Sequence, residues 1–456
     1  MARDVVDAQI IESERDLVAW LESGAKPAAE FRIGAEHEKI PFYAADDAPV
    51  PYQGPRGIGA LLQAMRVRLG WEEIEDGGAL IGLIDPVGGG AISLEPGGQF
   101  ELSGALQPSV HGVAAELAAH LKAAHAAADP LGIRFLSLGM SPKWSLAETP
   151  VMPKSRYAIM TRYMPKVGTR GLDMMYRTAT VQANLDFSGE QDMVAKMRVG
   201  LALQPMLTAL FANSPFTDGR LNGFMSARSE IWRHTDAART GMLPFAFEPG
   251  MGFERYVAYA LDVPMYFVKR GPVYHDVAGA SFRDLLKGRL AALPGERATL
   301  SDWANHLSTI FPEVRLKRYL EMRGADVGPP ERINALAALM VGLYYDPQAL
   351  SGAGELIKGW SAEERQKLRD EAPRLALGAR IGGRSLQDIA RDALALARDG
   401  LKRRARRDAH GRDETAYLDP IDEIAASGRA PAQDWIAKFE GPWKRSVEPA
   451  FQEALL

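Results

Sequence analysis

Residues 32–38 read RIGAEHE, and polar and apolar side chains alternate along them. Successive side chains of a β-strand point to opposite faces of its sheet. A strand over this stretch therefore places Glu36 and Glu38 on one face, while His37 points to the other face together with Ile33 and Ala35. The stretch predicts a strand with one acidic face and one mainly apolar face.

Two further stretches repeat this pattern. Residues 92–101 read ISLEPGGQFE, with a turn predicted at the Pro-Gly-Gly of residues 96–98, and residues 181–187 read VQANLDF. The polar positions of the two stretches are Glu95, Gln99, Glu101, Gln182, Asn184 and Asp186. The chain thus has three predicted strands whose polar positions carry acids and amides with almost no lysine.

Carboxylate and amide oxygens are hard ligands of the kind that Mg²⁺ prefers, and Mg²⁺ held by few protein ligands usually accompanies a nucleotide phosphate. A solvated outer face explains one such strand equally well. Three strands favour a metal–phosphate site, because concentrated like charge destabilises a fold unless a cation compensates it.

Composition excludes several classes of protein. The 456 residues are 46% hydrophobic and 25% charged with a net charge of −4, which is typical of a globular protein and argues against nucleic-acid binding. No apolar run approaches the roughly 18 residues of a membrane span. The polar first seven residues resemble no targeting signal, so we expect a cytoplasmic protein. The chain has no cysteine, which excludes disulfides, thiolate ligands and thiol switches.

The pattern along the chain predicts one composite domain over residues 1–456, with most strands in residues 1–290 and mostly helices in residues 291–456. Strands are expected near residues 31–38, 132–138 and 178–187. Helices are expected near residues 10–24, 61–69, 112–128, 156–163, 190–211, 301–309, 314–323, 331–344, 361–370, 385–406 and 431–440.

Basic residues form a second group of candidates. Arg228 and Arg315 are candidates for binding carboxylate or phosphate through the planar guanidinium. On the helix predicted over residues 314–323, Arg315 and Arg318 are neighbours. Any single arginine of that segment could instead serve only in a surface ion pair with Glu313 or Glu321. The loop that contains Lys154 and Arg156 either holds phosphates or is an ordinary ordered loop.

The chain strongly resembles the plant and proteobacterial type of glutamate–cysteine ligase. The resemblance runs from about residue 10 to residue 450 and includes the strings FANSPFTDGRLNGF, from residue 211, and FPEVRLKRYLEMRGAD, from residue 311. It implies an α+β fold related to glutamine synthetase, in which helices pack behind a curved, mainly antiparallel sheet that forms a cup, with a helical C-terminal part. It also implies ligation of the γ-carboxylate of L-glutamate to the amine of L-cysteine with ATP and Mg²⁺, through a γ-glutamyl phosphate, as the first step of glutathione synthesis.

The resemblance assigns roles to particular residues. The expected metal ligands are Glu36, Glu38, Glu95, Glu101 and Gln182, with the possibility left open that one of these glutamates contacts the cysteine substrate instead. The expected catalytic residues are Arg228 and Arg315. Lys154, Arg156 and Asn184 are the expected contacts of substrate or ATP.

Two alternatives and two departures accompany this interpretation. A ligase with another amine acceptor, or a catalytically silent protein that binds Mg-nucleotide, fits much of the same pattern. The thiol regulation of plant members cannot apply to a chain without cysteine. Plant members of the family begin with a plastid transit peptide, which the first residues here do not resemble, so the resemblance implies a bacterial cytoplasmic enzyme. Monomer and dimer both remain open, with no nucleic-acid or membrane partner expected.

Overall fold

The computed structural model describes residues 7–456, so the first six residues of the polar N-terminal segment lie outside the described part. The strands in chain order are β1 (Ile33–Tyr43), β2 (Glu72–Asp76), β3 (Ala79–Ile84), β4 (Ala91–Leu94), β5 (Phe100–Ser103), β6 (Ile133–Leu136), β7 (Thr180–Leu185), β8 (Phe216–Thr217), β9 (Arg220–Leu221), β10 (Thr240–Gly241), β11 (Phe267–Arg270), β12 (Val273–Asp276), β13 (Phe311–Pro312), β14 (Val314–Leu316), β15 (Leu320–Asp326), β16 (Arg380–Ile381) and β17 (Arg384–Ser385).

Nine of these strands form one antiparallel sheet in the order β14-β15-β7-β1-β5-β4-β3-β2, with β6 paired to the far end of β1. The 11-residue β1 lies near the centre and pairs with β5, β6 and β7. All three predicted polar stretches therefore lie in neighbouring strands, which brings their side chains to one region of the sheet.

The helices are α1 (Glu14–Glu22), α2 (Ile58–Leu69), α3 (Val110–Ala128), α4 (Ser155–Val167), α5 (Gly171–Arg177), α6 (Glu190–Leu210), α7 (Ala227–Trp232), α8 (Phe253–Asp262), α9 (Phe282–Leu286), α10 (Leu300–Ser308), α11 (Pro330–Tyr344), α12 (Pro347–Leu356), α13 (Ala362–Leu375), α14 (Leu386–Arg404), α15 (Asp419–Ser427), α16 (Pro431–Glu440) and α17 (Ala450–Glu453).

The core lies between the sheet and three long helices. α6 packs on β15, α11 on β7 and α3 on β1. The buried side chains of β1 and β7 on this side, including Ile33, Ala35, Val181 and Leu185, belong to one large hydrophobic cluster. Burial of this apolar area leaves the opposite, polar face of the strands free to carry chemistry. The predicted fold of an antiparallel sheet packed by helices is confirmed.

The helix predicted over residues 314–323 is wrong. This segment forms β14 and β15, which pair as a hairpin with Arg315 opposite Glu321. Its apolar residues Val314, Leu316, Leu320 and Met322 alternate with polar ones, which is the period of a strand. Arg315 and Arg318 are therefore not helical neighbours, and the hairpin extends the polar face of the main sheet.

The other long helices confirm the sequence pattern with small changes at their ends. α1 begins at Glu14 rather than at residue 10, and α4 continues through Pro165 to Val167. The division of the chain at residue 290 into a part with most strands and a mostly helical part stays a prediction. Two strands of the main sheet, β14 and β15, lie after this residue. Over residues 7–456, none of the helices combines the length and the apolar character that a membrane crossing requires.

Candidate active site

The strand register brings the predicted acidic residues together. Glu36 lies opposite Gln182 of β7, and Glu38 lies opposite Glu101 of β5. Side chains of directly opposed residues in antiparallel strands point to the same face. The three predicted strands therefore present one continuous polar surface, which we call the acidic face and define by Glu36, Glu38, Glu95, Glu101 and Gln182.

The acidic face holds negative charge out of water. Glu36 and Glu101 are 7% and 5% exposed. Burial raises the pKa of Glu36, and the nearby carboxylates of Glu321 and Glu101 raise it further. Burial also raises the pKa of Glu38 well above its usual value, with Glu95 and Glu101 adding to the effect and Arg228 opposing it. A cation bound here would offset both the cost of burying the charged carboxylates and their mutual repulsion.

Neutral donors orient these carboxylates. Asn184 donates from Nδ2 to Glu36 at 2.7 Å, and Gln182 donates to the same carboxylate at 3.3 Å. The backbone N–H of Thr180 donates to Glu38 at 2.8 Å. Asn184 was predicted as a substrate contact; its amide nitrogen is engaged by Glu36, and its contact with substrate stays a prediction.

The remaining two carboxylates are held by hydroxyl groups. Glu101 accepts hydrogen bonds from Ser103 at 2.7 Å and from Ser93 at 3.1 Å. Glu95 accepts one from the Tyr157 hydroxyl at 3.2 Å. None of these donors carries charge, so the hydrogen bonds orient the acidic face without neutralising it.

A cavity of about 110 Å³ opens beside the acidic face. Its charged lining comprises Glu38, Glu95, Arg156, Arg228 and Arg323. Its apolar lining includes Met160, Met174, Met175, Trp232 and Phe311. Carboxylates, guanidiniums and an apolar wall thus meet around one space, which we call the main cavity.

A group of cations borders the acidic face on the β14–β15 hairpin. Glu321, which is completely buried, accepts hydrogen bonds from Arg315 at 2.7 and 2.8 Å and from Lys317 at 2.8 Å, and it pairs with Arg323. Although burial acts to raise it, the three cations hold the pKa of Glu321 well below 4.5. Arg323 also donates to Gln182 at 2.7 Å, which links this cluster to the acidic face.

The cluster changes how Arg315 is understood. Its Nη1 donates to the carbonyl of Ser308 at 2.8 Å and its Nη2 is engaged by Glu321, so most of the guanidinium is already occupied. Sequence reasoning missed Lys317 and Arg323 in this role. The alternation of polar and apolar residues over 314–323 was the available signal.

We expect Glu321→Gln to lower the free energy of unfolding by about 3–5 kcal/mol, because it leaves three buried cations without their anion. Chemical denaturation at neutral pH measures this difference. A matched control is Glu355→Gln, which removes an exposed ion pair with Lys358 and should change stability by less than about 0.5 kcal/mol.

The difference in unfolding free energy between the parent protein and Glu321→Gln should depend on pH. Because the pKa of Glu321 is lower in the folded protein than its ordinary 4.5, its stabilisation is full above about pH 4.5 and is lost as pH falls through the folded value. The difference between the parent protein and Glu321→Gln should therefore shrink on acidification. A difference that grows below pH 4.5 would contradict this assignment.

Lys154 and Arg156, predicted to lie in one loop, take different positions: Lys154 is the N-cap of α4, and Arg156 lies in its first turn. The Lys154 ammonium donates to the carbonyl of Leu94 at 2.8 Å and to the Tyr157 hydroxyl at 3.3 Å, and burial lowers its pKa to about 8. It supports the end of β4 and does not line the main cavity. Arg156 does line it, with its guanidinium 5.2 Å from the centre of the Tyr157 ring.

Arg228 enters the main cavity from α7. Ser226 caps this helix by accepting from the Ser229 N–H, and Asp326 holds Ser226 and Ser214 at 2.8 and 2.7 Å. The Arg228 Nη2 donates to the carbonyl of Arg323 at 2.8 Å. Burial lowers the pKa of Arg228, while Asp326 and Glu38 oppose this effect.

The donor set of the acidic face fits a hard divalent cation, since it offers four carboxylates and an amide oxygen. Over residues 7–456, no group of three or more histidine, aspartate or glutamate side chains is arranged so that it could hold a metal ion by itself. The strand register places the predicted ligands on one face of the sheet, and their roles as metal ligands stay predictions.

The chain is similar to known proteins over nearly its whole length. The model of a family described as glutamate-cysteine ligase family 2 matches residues 32–453. The chain is 51% identical over 451 residues to the chloroplastic glutamate–cysteine ligase of Nicotiana tabacum, covering 99% of this chain and 84% of that protein. It is 51% identical over 443 residues to the chloroplastic enzyme of Arabidopsis thaliana, covering 97% and 83%.

Among solved structures, the chain is similar to a glutamate–cysteine ligase from Francisella tularensis in complex with AMP. The TM-score is 0.51 at 12% sequence identity, covering 92% of this chain and 88% of that one. At this identity the likeness concerns the fold alone. It agrees with the expected class of mixed sheet and helices.

The expected bacterial cytoplasmic location is wrong by this comparison. The curated relatives from tobacco, rice and Arabidopsis are named chloroplastic. The expectation depended on the composition of residues 1–7, and so short a segment carries little information about a compartment.

Proposed function

The chain belongs to glutamate–cysteine ligase family 2, and from this premise we propose that it joins the γ-carboxylate of L-glutamate to the amino group of L-cysteine with consumption of ATP. The product is γ-glutamylcysteine, the first intermediate of glutathione synthesis. The observation that carries the proposal is the full-length match, at about half identity, to glutamate–cysteine ligases from plants.

The charges around the main cavity support this chemistry. A carboxylate is a poor electrophile, so the reaction needs transfer of the γ-phosphoryl group of ATP to glutamate before the amine attacks. ATP and glutamate are both anions, and their approach needs compensating positive charge. Arg156, Arg228 and Arg323 provide such charge at the cavity wall.

We propose Glu36, Glu38, Glu95, Glu101 and Gln182 as the residues that hold Mg²⁺. When bound, Mg²⁺ supplies charge neutralisation between the phosphates and the carboxylate. The supporting observation is the buried, mutually repelling set of carboxylates, two of which have raised pKa values.

The arginines divide into two proposed roles. Arg228 faces the main cavity, so we assign it to the substrate carboxylate or the transferring phosphoryl group. Arg315 is engaged by Glu321 and by carbonyl oxygens, so we assign it to positioning of the Lys317 and Arg323 cations. Attack by the cysteine amine on the acyl phosphate then forms the amide and releases phosphate and a proton.

The apolar wall of the main cavity supports a thiol-bearing acceptor. Met160, Met174 and Met175 line it together with three aromatic rings, and such a lining suits a small polarizable side chain. No feature in the described part of the chain favours a different amine. Acceptor choice is therefore tested directly.

The test measures ADP release from Mg-ATP and L-glutamate, with and without L-cysteine. We expect cysteine-dependent ADP release and γ-glutamylcysteine in the product by mass spectrometry. ADP release that responds to another amine would keep the chemistry and change the acceptor. Binding of Mg-ATP without turnover under any acceptor would instead identify a silent nucleotide-binding relative.

A further inference from the structure

A second, smaller pocket adjoins the main cavity. Arg228, Arg323, Trp232 and Phe311 line both spaces, and Arg369 of α13 closes the smaller one. Its free volume is about 10 Å³, which is close to the space that one oxygen atom of water needs. We call it the arginine pocket.

The residues that line the arginine pocket are mostly cationic, although Arg323 is also paired with Glu321 outside the pocket. Three guanidiniums, those of Arg228, Arg323 and Arg369, line it with a single carboxylate, Glu313. Arg369 pairs through Nε with Glu313 and donates from Nη2 to the carbonyl of Ser229 at 3.2 Å. The glutamates of the acidic face do not line this pocket.

Two buried donors on the arginines that line this pocket lack a hydrogen-bond acceptor within the described part of the chain. They are Nη1 of Arg369 and Nε of Arg228, on side chains whose residues are each 3% exposed. A buried donor without a partner costs about 1–3 kcal/mol, and more when it is charged. An anionic oxygen bound between these arginines would offer them an acceptor and would add negative charge beside Arg228, for which no ion pair is found in the described part of the chain.

The position and size of the arginine pocket indicate which anion fits. The main cavity shares a wall with the arginine pocket, so a substrate that reacts in the main cavity lies beside these guanidiniums. The arginine pocket has room for about one oxygen atom, which suits one oxygen of a carboxylate better than a phosphoryl group, and an amino acid substrate carries such a carboxylate. Guanidinium groups bind carboxylates with well-defined geometry.

We propose that Arg369, with Arg228 and Arg323, forms the subsite for the α-carboxylate of an amino acid substrate. This inference rests on the proposed ligase function and adds a binding residue from the helical C-terminal part. Both L-glutamate and L-cysteine carry such a carboxylate. The experiment must therefore distinguish the two.

A purely structural role for Arg369 predicts different behaviour. Its pair with Glu313 joins α13 to the segment between β13 and β14, so loss of Arg369 would in that case act through loss of the pair. Glu313→Gln removes the same pair and leaves Arg369 in place. It is the matched control, because it should keep or strengthen carboxylate binding if the subsite is correct.

Initial rates of ADP release are measured for the parent protein, Arg369→Met, Arg369→Lys and Glu313→Gln, with each amino acid varied in turn. We expect Arg369→Met to raise KM for one amino acid by at least about tenfold while kcat changes by less than about threefold. Arg369→Lys should recover part of the loss. Glu313→Gln should not raise this KM.

Decarboxylated analogues identify the carboxylate. Cysteamine replaces L-cysteine and 4-aminobutyrate replaces L-glutamate, with KM measured if they react and the competitive inhibition constant if they do not. One analogue lacks the carboxylate that the arginine pocket binds, and for it Arg369→Met and the parent protein should give the same KM or inhibition constant. For the other analogue, Arg369→Met should change this constant as little as it changes the KM of the corresponding amino acid.

Three results would overturn the subsite. They are unchanged KM for both amino acids in Arg369→Met, an equal loss in Arg369→Met and Glu313→Gln, or a fall in kcat with every KM unchanged. A thermal-shift measurement with L-glutamate and with L-cysteine separates this failure from failure of the ligase function. Stabilisation of the parent protein that Arg369→Met loses supports the subsite even without turnover, and equal stabilisation of both proteins rejects it.

Discussion

Replacing Glu101 with glutamine is expected to lower kcat by about 10²–10³-fold, the range found when one group that stabilises transition-state charge is removed. Glu101 lies opposite Glu38 and is oriented by Ser93 and Ser103, so the substitution keeps the shape and removes one charge from the acidic face. Steady-state ADP release with saturating substrates measures the loss.

The same substitution should leave the metal-free protein as stable as the parent, or more stable. Glu101 raises the pKa of both Glu36 and Glu38, which means that its charge repels theirs in the folded protein. Thermal unfolding without divalent cations tests this sign. Addition of Mg-ATP should raise the midpoint temperature of the parent protein more than that of Glu101→Gln.

Glu72→Gln is the control for Glu101→Gln. Glu72 belongs to β2 at the exposed edge of the same sheet, away from the acidic face. We expect unchanged turnover and an unchanged response to Mg-ATP. If Glu101→Gln retained parental turnover, the assignment of the acidic face to metal binding would have to be abandoned.

Replacing Arg228 with methionine is expected to lower kcat/KM by about 10²–10³-fold. Arg228 faces both the main cavity and the arginine pocket, and few acceptors in the protein engage it. Arg228→Lys keeps the charge but loses the planar fork, so it should recover only part of this loss. Steady-state kinetics with each substrate varied gives the values.

Arg233→Met is the matched control for Arg228. Arg233 follows the end of α7 and pairs with Glu230 and Asp370 outside the cavity, so near-parental kinetics are expected. Thermal unfolding shows whether each variant is folded. Equal activity losses in Arg228→Met and Arg233→Met would indicate damage to α7 rather than loss of a substrate contact.

Local sequence patterns were sufficient for much of the fold and for the acidic face. Alternation over residues 32–38 and 181–187 predicted strands whose polar sides carry Glu36, Glu38 and Gln182, because side-chain direction in a strand depends only on position along it. The long helices α6 and α14 were predicted close to their observed bounds for the same kind of reason.

Local patterns failed where charged residues dominate a short segment. The sequence VRLKRYLEMR over residues 314–323 fits the surface of a helix, yet it forms β14 and part of β15. Pairing of β15 with β7 decides this, since the sheet supplies backbone partners that residues far apart in the chain contribute. The reassignment of Arg315, and the roles of Lys317 and Arg323, follow from that pairing.

The sequence by itself determined that the chain has an acidic strand face, that it has no thiol chemistry and that it resembles one ligase family. Only the tertiary structure decided which side chains are already engaged and which remain free to bind. Lys154 and Asn184 support neighbouring groups, whereas Arg228 and Arg369 retain unpartnered donors at a cavity. The reason is physical: a hydrogen-bond partner is a matter of distance in space, and residues such as Ser229 and Arg369 are far apart in the chain but adjacent in the fold.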